Sequence, residues 1–92
     1  MRTIKRASQF KKDYKREKKG QHAADLDDCL KPVLTALVND QPLDQAYLDH
    51  GLSGTWKGYR DCHVKNDLVL IYSTEIDGEL KLVRLGSHSE LF

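Results

Sequence analysis

No stretch of the sequence approaches the roughly 18 consecutive apolar residues that a membrane-spanning helix needs. The opening segment MRTIKRASQF is positively charged but has no apolar core behind it. It is therefore not expected to be a secretory signal, and the cytoplasm is the expected compartment. Cysteine is scarce. Cys29 and Cys62 stand alone without CxxC spacing, so both read as small buried hydrophobes rather than as a disulfide or a reactive thiol. The dense metal-ligand spacings are missing: there is no HExxH and no histidine pair at i, i+4, so no metal and no cofactor is expected. There is also no GxGxxG, no phosphate-binding P-loop and no GxSxG elbow, which sets aside dinucleotide, nucleotide-triphosphate and serine-hydrolase chemistry of those kinds. With two Pro and six Gly, the chain has no linker, internal repeat or low-complexity tract.

Ninety-two residues suit a single domain, 1–92, with one modest core burying roughly 60–65% of the unfolded surface. The net charge of +1 hides an asymmetry. Residues 1–20 carry nine Lys/Arg against two acids, whereas residues 21–49 carry one Lys against six Asp. A basic face of this kind attracts a polyanion in a salt-dependent way. A solvated helix face fits the charge pattern equally well.

Thr3 and Ile4 suit a short first strand. Ser8 is placed to cap a helix running to about Gly20, with Phe10 and Tyr14 four apart on its apolar face. From about His22 to Asn39, Leu26, Leu30, Val33, Leu34, Leu37 and Val38 recur at helical spacing and predict core. Pro32 lies inside this stripe and is expected to kink or split the helix. Residues 39–54 read as a loop. Strands are then predicted over Trp56–Val64, Leu68–Ser73 and Leu80–Gly86, with Lys65–Asp67 as one turn and Asp77-Gly78 as a hairpin signal. Two helices before an antiparallel meander imply an α+β layer, the helices packed on one face of a mostly antiparallel sheet.

Period-two alternation puts Trp56, Gly58, Arg60, Cys62 and Val64 on one face, and Lys57, Tyr59, Asp61 and His63 on the other. A solvated sheet face accounts for the second set on its own. The histidines shift the balance. His50 enters the strand, His63 lies near its end and His88 follows the last strand, so all three can converge. His22 has no such companions and reads as surface. Cutting RNA requires a base to take the ribose 2′-OH proton, an acid to protonate the leaving 5′-oxygen, and positive charge around the phosphorus. Paired imidazoles supply both transfers near neutral pH, and a carboxylate can orient one of them. Lys57, Arg60 and Arg84 can meet phosphate charge, and Phe92 can stack on a base. This inventory suits metal-free transfer to a 2′,3′-cyclic phosphate.

The string DHGLSGTWKGYRDCHV (49–64), the strand NDLVLIY and the end segment RLGSHSELF (84–92) together resemble the YafQ branch of RelE-like bacterial toxins, across nearly the whole chain. The resemblance implies a microbial-ribonuclease-like α+β fold, with two helices on a twisted, mostly antiparallel sheet. It implies an endoribonuclease that cuts mRNA in the ribosomal A site of the 70S ribosome. It also implies a cognate antitoxin that wraps the toxin, in an expected heterotetramer. Matched by motif, the working residues fall on His50, His63, Asp67 and His88. His88 is the expected general acid, and His50 or His63 the base. Asp67 is the expected orienting carboxylate, with Asp61 as helper. Arg84 and Lys57 are expected to steady the phosphate, with Phe92 at a base. Lys11, Lys12, Lys15 and Lys18 are the expected ribosome-docking charges. A ParE-type gyrase poison would share the fold but needs no converging imidazoles, and a non-catalytic RNA-binding module would share the basic helix.

Overall fold

The computed structural model describes all 92 residues. Its elements run β1 (Thr3–Arg6), α1 (Ser8–Glu17), α2 (Leu26–Val38), β2 (His50–Gly51), β3 (Arg60–Lys65), β4 (Leu68–Ser73), β5 (Glu79–Gly86) and α3 (His88–Leu91). One five-stranded sheet has the order β1-β5-β4-β3-β2. Every pairing is antiparallel except β1 with β5, where Thr3 lies opposite Glu79 and Arg6 opposite Leu82.

Sheet alternation then divides the interior. On one face Cys62, Leu68, Leu70, Tyr72, Leu80, Leu82 and Leu85 meet Phe10 of α1 and Leu26, Leu30, Val33 and Leu37 of α2. On the other face no long helix packs. Val69 and Ile71 are covered there by Leu91 of α3 and by Leu52, Trp56, Tyr59 and Val83. β4 reads as an unbroken apolar run, LVLIYS, because both its faces are covered.

The expected α+β layering holds, and its details differ from the sequence reading at definable places. Ser8 is the first helical residue of α1, with Ala7 in extended conformation before it, so the hydroxyl does not cap. The helix ends at Glu17, short of Gly20. α2 begins at Leu26, not His22. Asp25 stands before it, and its carboxylate is held by Lys65 Nζ at 2.7 and 2.8 Å. Pro32 lies inside α2, which continues as one helix. Pro32 is on the exposed side, where the carbonyl left without its N–H partner can be hydrated. The 39–54 loop contains a 3-10 turn at Gln45–Tyr47 and all of β2. β3 starts at Arg60 rather than Trp56. Gly54–Trp56 form a 3-10 turn and Gly58 adopts φ +92, which breaks the alternation and leaves Trp56 and Tyr59 on the same face.

Candidate active site

The face of the sheet away from α1 and α2 carries His50 and His63. His50 on β2 lies opposite Asp61 on β3, and His63 follows two residues later on the same side of that strand. β5 ends at Gly86 and feeds α3, whose first residue is His88. Ser87 caps α3: its hydroxyl accepts from the Glu90 N–H while the Glu90 carboxylate accepts from the Ser87 N–H. A four-residue helix needs such a reciprocal cap, because it has almost no internal hydrogen bonds.

Asp61 is the centre of this arrangement. It is 2% exposed, and its Oδ1 has no hydrogen-bond partner. Burial raises its pKa above the ordinary Asp value, even though His50, then His63 and His88, pull in the opposite direction. The carboxylate thus feels all three imidazoles, which come from three separate stretches of chain.

His50 Nδ1 lies 3.1 Å from Asp61 Oδ1, but its N–H is aimed at the Leu48 carbonyl at 2.8 Å. The carboxylate is therefore a close charge beside the ring, not its hydrogen-bond acceptor. A carbonyl only accepts, so Nδ1 carries the proton and Nε2 of the neutral ring presents a free lone pair. Leu48 achieves this with φ +52, a left-handed conformation that is costly for a leucine. An aromatic group stands beside the imidazoles. The Phe92 ring lies 4.9 Å from His88 and 6.5 Å from Trp56, and Trp56 meets Tyr59 edge-on at 5.6 Å.

The remaining predicted residues divide. Lys57 is exposed, beside Trp56, and makes no ion pair. Arg84 lies opposite Ile71 and sends Nε to the buried Asp13 at 2.8 Å. Asp67 lies in the β3–β4 turn, exposed and without a hydrogen bond to any imidazole, and the carboxylate 3.1 Å from an imidazole is that of Asp61. Arg60 does not join the group. It belongs to the helix-side face, where Nε and Nη2 bind Asp49 at 3.3 and 3.2 Å and the Tyr72 hydroxyl donates to the same carboxylate. Arg60 and Tyr72 thereby anchor the residue immediately before His50.

The lysines of α1 belong to the helix layer. Lys11 and Lys15 line a groove between α1 and α2 of about 1040 Å³, floored by Phe10, Leu30, Leu34 and Leu82. Lys12 is exposed, whereas Lys18 is paired with Asp27 at 3.0 Å. Arg2 with Asp40 is a further pair between the basic start and the acidic second segment, so part of the charge asymmetry is neutralised internally. Sequence reasoning missed Leu48, Asp49, Asp13 and Trp56. Only Trp56, an aromatic in a polar Gly-rich stretch, carried a readable signal.

An α+β domain with its two long helices on one face, and imidazoles, a buried carboxylate and edge-packed aromatic rings on the other, defines a site suited to proton transfer on a negatively charged substrate. The family model described as "Bacterial toxin of type II toxin-antitoxin system, YafQ" matches residues 2–92, and the chain belongs to this family. The mRNA interferase toxin YafQ of Escherichia coli K12 is 44% identical over 92 residues, covering 99% of this chain and 96% of that protein. A putative toxin YafQ of Haemophilus influenzae is 54% identical over 61 residues, 63% of this chain and 60% of its own length. Among solved structures, a copper-bound mutant toxin from Helicobacter pylori superposes with TM-score 0.91 at 40% identity, with both chains fully covered. The E. coli DinJ–YafQ complex superposes with TM-score 0.85 at 41% identity, covering 100% of this chain and 99% of that one. In this chain no three His, Cys, Asp or Glu side chains stand close enough to hold a metal ion, and no helix is long and apolar enough to cross a membrane.

Proposed function

We propose that residues 1–92 form one endoribonuclease domain, a toxin that cuts mRNA in the ribosomal A site and is neutralised by a cognate antitoxin in the cytoplasm. The observation that carries this reading is the buried carboxylate of Asp61, with His50 at 3.1 Å, His63 two residues on along the same side of β3, and the charges of His63 and His88 within electrostatic reach. The relatives support it: one is an mRNA interferase, and another was solved in complex with DinJ.

His50 is the general base, because its Nδ1–H is committed to Leu48 and its Nε2 is free to accept the ribose 2′-OH proton. The resulting imidazolium is stabilised by Asp61 beside it. The 2′-oxygen attacks the adjacent phosphorus, and the P–O5′ bond breaks. His88, protonated, gives its proton to the departing 5′-oxygen. The products are a 2′,3′-cyclic phosphate and a free 5′-hydroxyl. His63, Arg84 and Lys57 surround the non-bridging oxygens as charge builds there. Phe92 and Trp56 offer ring faces to a base. Asp67, at the rim, is left for contacts that form only with RNA bound.

The test is cleavage of mRNA on ribosomes by parent, His88→Ala and His50→Ala proteins. Each substitution is expected to slow cleavage about 10²- to 10⁴-fold. A message carrying 2′-deoxyribose at the scissile position is expected to resist cutting. Full activity of His88→Ala, or cutting of the deoxy message, would overturn the mechanism. Chelation of transition metals, with magnesium kept for the ribosome, is expected to leave the rate unchanged. Intact mRNA alongside gyrase-linked DNA damage would overturn the function itself.

A further inference from the structure

The pairing of β1 with β5 ends with the Ala7 N–H on the Leu82 carbonyl, so beyond Leu82 the outer edge of β5 is left open where the chain approaches α3. A strand edge without partners leaves backbone groups to be satisfied. Here two side chains of α1 take the place of a strand. The Asp13 carboxylate accepts the Leu85 N–H at 3.0 Å, and the Arg16 guanidinium donates to the Leu85 carbonyl at 2.8 Å. The two are also joined to each other, Arg16 Nη1 to Asp13 Oδ1 at 2.9 Å.

Asp13 is fully buried, an expensive location for a carboxylate. Its charge is met by Arg84 and Arg16, with Gln9 donating at 3.1 Å. Burial pushes its pKa up, but the bonds from Arg84, the Leu85 N–H and Gln9 outweigh burial and leave it below the ordinary Asp value. Arg16 continues the connection. Its Nε donates to Glu17 Oε2 at 3.1 Å and also lies 3.4 Å from Glu90 Oε2, an ion pair, and Glu90 is the residue whose other oxygen caps α3 through Ser87. Arg16 reaches this position across Gly86, where a Cβ would lie 2.8 Å from Nη2.

We propose that Asp13 and Arg16, on the helix far from the imidazoles in sequence, are positioning residues for the cleavage reaction. Asp13 fixes the guanidinium of Arg84, and Arg16, through Glu90, fixes the short helix that carries His88. Neither touches substrate. Asp13 and Arg16 meet the structural need of the Leu85 backbone at this edge, which apolar packing of α1 through Phe10 does not supply. The same pair also links Arg84 and Glu90, next to the groups that must be placed for phosphate contact and leaving-group protonation.

The proposal rests on the role given to His88, and the experiment separates the two. Single-turnover cleavage on ribosomes is measured for the parent, Asp13→Asn, Glu90→Gln, His88→Ala and the Glu90→Gln/His88→Ala double variant, with folded fraction from thermal melts. Glu90→Gln keeps an oxygen for the Ser87 cap and loses only the charge facing Arg16. It is expected to lower kcat about 10-fold with KM for the ribosome complex unchanged, since small misplacements of a reacting group have effects of this size. Asp13→Asn is expected to lower kcat at least as much. In the His88→Ala background Glu90→Gln is expected to add no further loss, because the group it places is gone. Unchanged kcat in folded Glu90→Gln overturns the proposal, as does an equal loss in the His88→Ala background. Loss in Asp13→Asn that merely tracks its unfolded fraction also overturns it. Full activity of His88→Ala alone instead defeats the function reading.

Discussion

Replacing Asp61 with Asn should make the protein more stable and a poorer catalyst at once. The side chain is nearly isosteric, so packing against β4 is kept. What changes is a buried negative charge whose Oδ1 has no hydrogen bond. Leaving a buried charged oxygen unpaired costs about 1–3 kcal/mol. Part of that is returned by the nearby imidazoles, so a gain of about 1 kcal/mol is expected, or about 4–8 °C in Tm for a domain of this size. The pH dependence has a definite sign. A carboxylate whose folded pKa is raised binds its proton more tightly in the folded protein, so its charge costs stability at neutral pH and the cost fades as pH falls toward the ordinary Asp range. The Tm advantage of Asp61→Asn should therefore be widest near pH 7 and shrink in acid.

The activity loss follows from the geometry. A unit charge 3.1 Å from an imidazolium is worth about 5 kcal/mol at an effective dielectric of about 20. The His50 side chain is 55% exposed, so water screens much of this, and about 1.5–3 kcal/mol is a fair remainder. That predicts a fall of about 10- to 150-fold in kcat by ribosome-bound cleavage. The loss should stop there. The Nδ1–H is held by Leu48 rather than by Asp61, so the substitution leaves the tautomer unchanged, unlike an Asp that orients its histidine directly. A variant that is less stable yet fully active would refute the reasoning from both sides.

Leu70→Ala removes a fully buried side chain from the middle of β4 and should cost about 2–5 kcal/mol, read as a drop in denaturant midpoint with little change in slope. Leu48→Asn suits the left-handed conformation at that position better than leucine does and gives up little burial, since Leu48 is 58% exposed. It should hold or raise stability by a few tenths of a kcal/mol and retain cleavage activity, and a large loss of either would show that the leucine side chain matters in its own right. Burial pushes the Cys62 thiol up to about 12, so thiol reagents should label it only on unfolding, whereas rapid labelling of native protein would show that β3 opens locally.

The layering and the strand order of β3, β4 and β5 were legible because they rest on periodicity. Leu26 to Leu37 recur at helical spacing, and the short Asn66-Asp67 turn forces adjacent strands. Alternation also placed Asp61 and His63 together, and Cys62 and Val64 behind them, because β3 is regular from Arg60 onward. It failed at Trp56 to Tyr59, where Gly58 turns the chain and puts two aromatics on one side, a change no hydrophobic period records. Arg60 shows a second limit. The alternation that grouped it with Cys62 was right, and a cation beside a site motif still suggested phosphate, because nothing local reveals that Asp49 and Tyr72 wait across the sheet. The place of Asp67 ahead of Asp61 rests on the motif resemblance alone; the sequence gives Asp61's position on β3 but not its burial beside His50. Asp13 lies beyond any local reading. Its partner backbone is 72 residues away, at an edge that exists only because β1 is four residues long and stops opposite Leu82. A buried charge in a lysine-rich amphipathic helix looks like surface until the fold closes over it, so the residues that place the chemistry are the hardest to read from the residues that perform it.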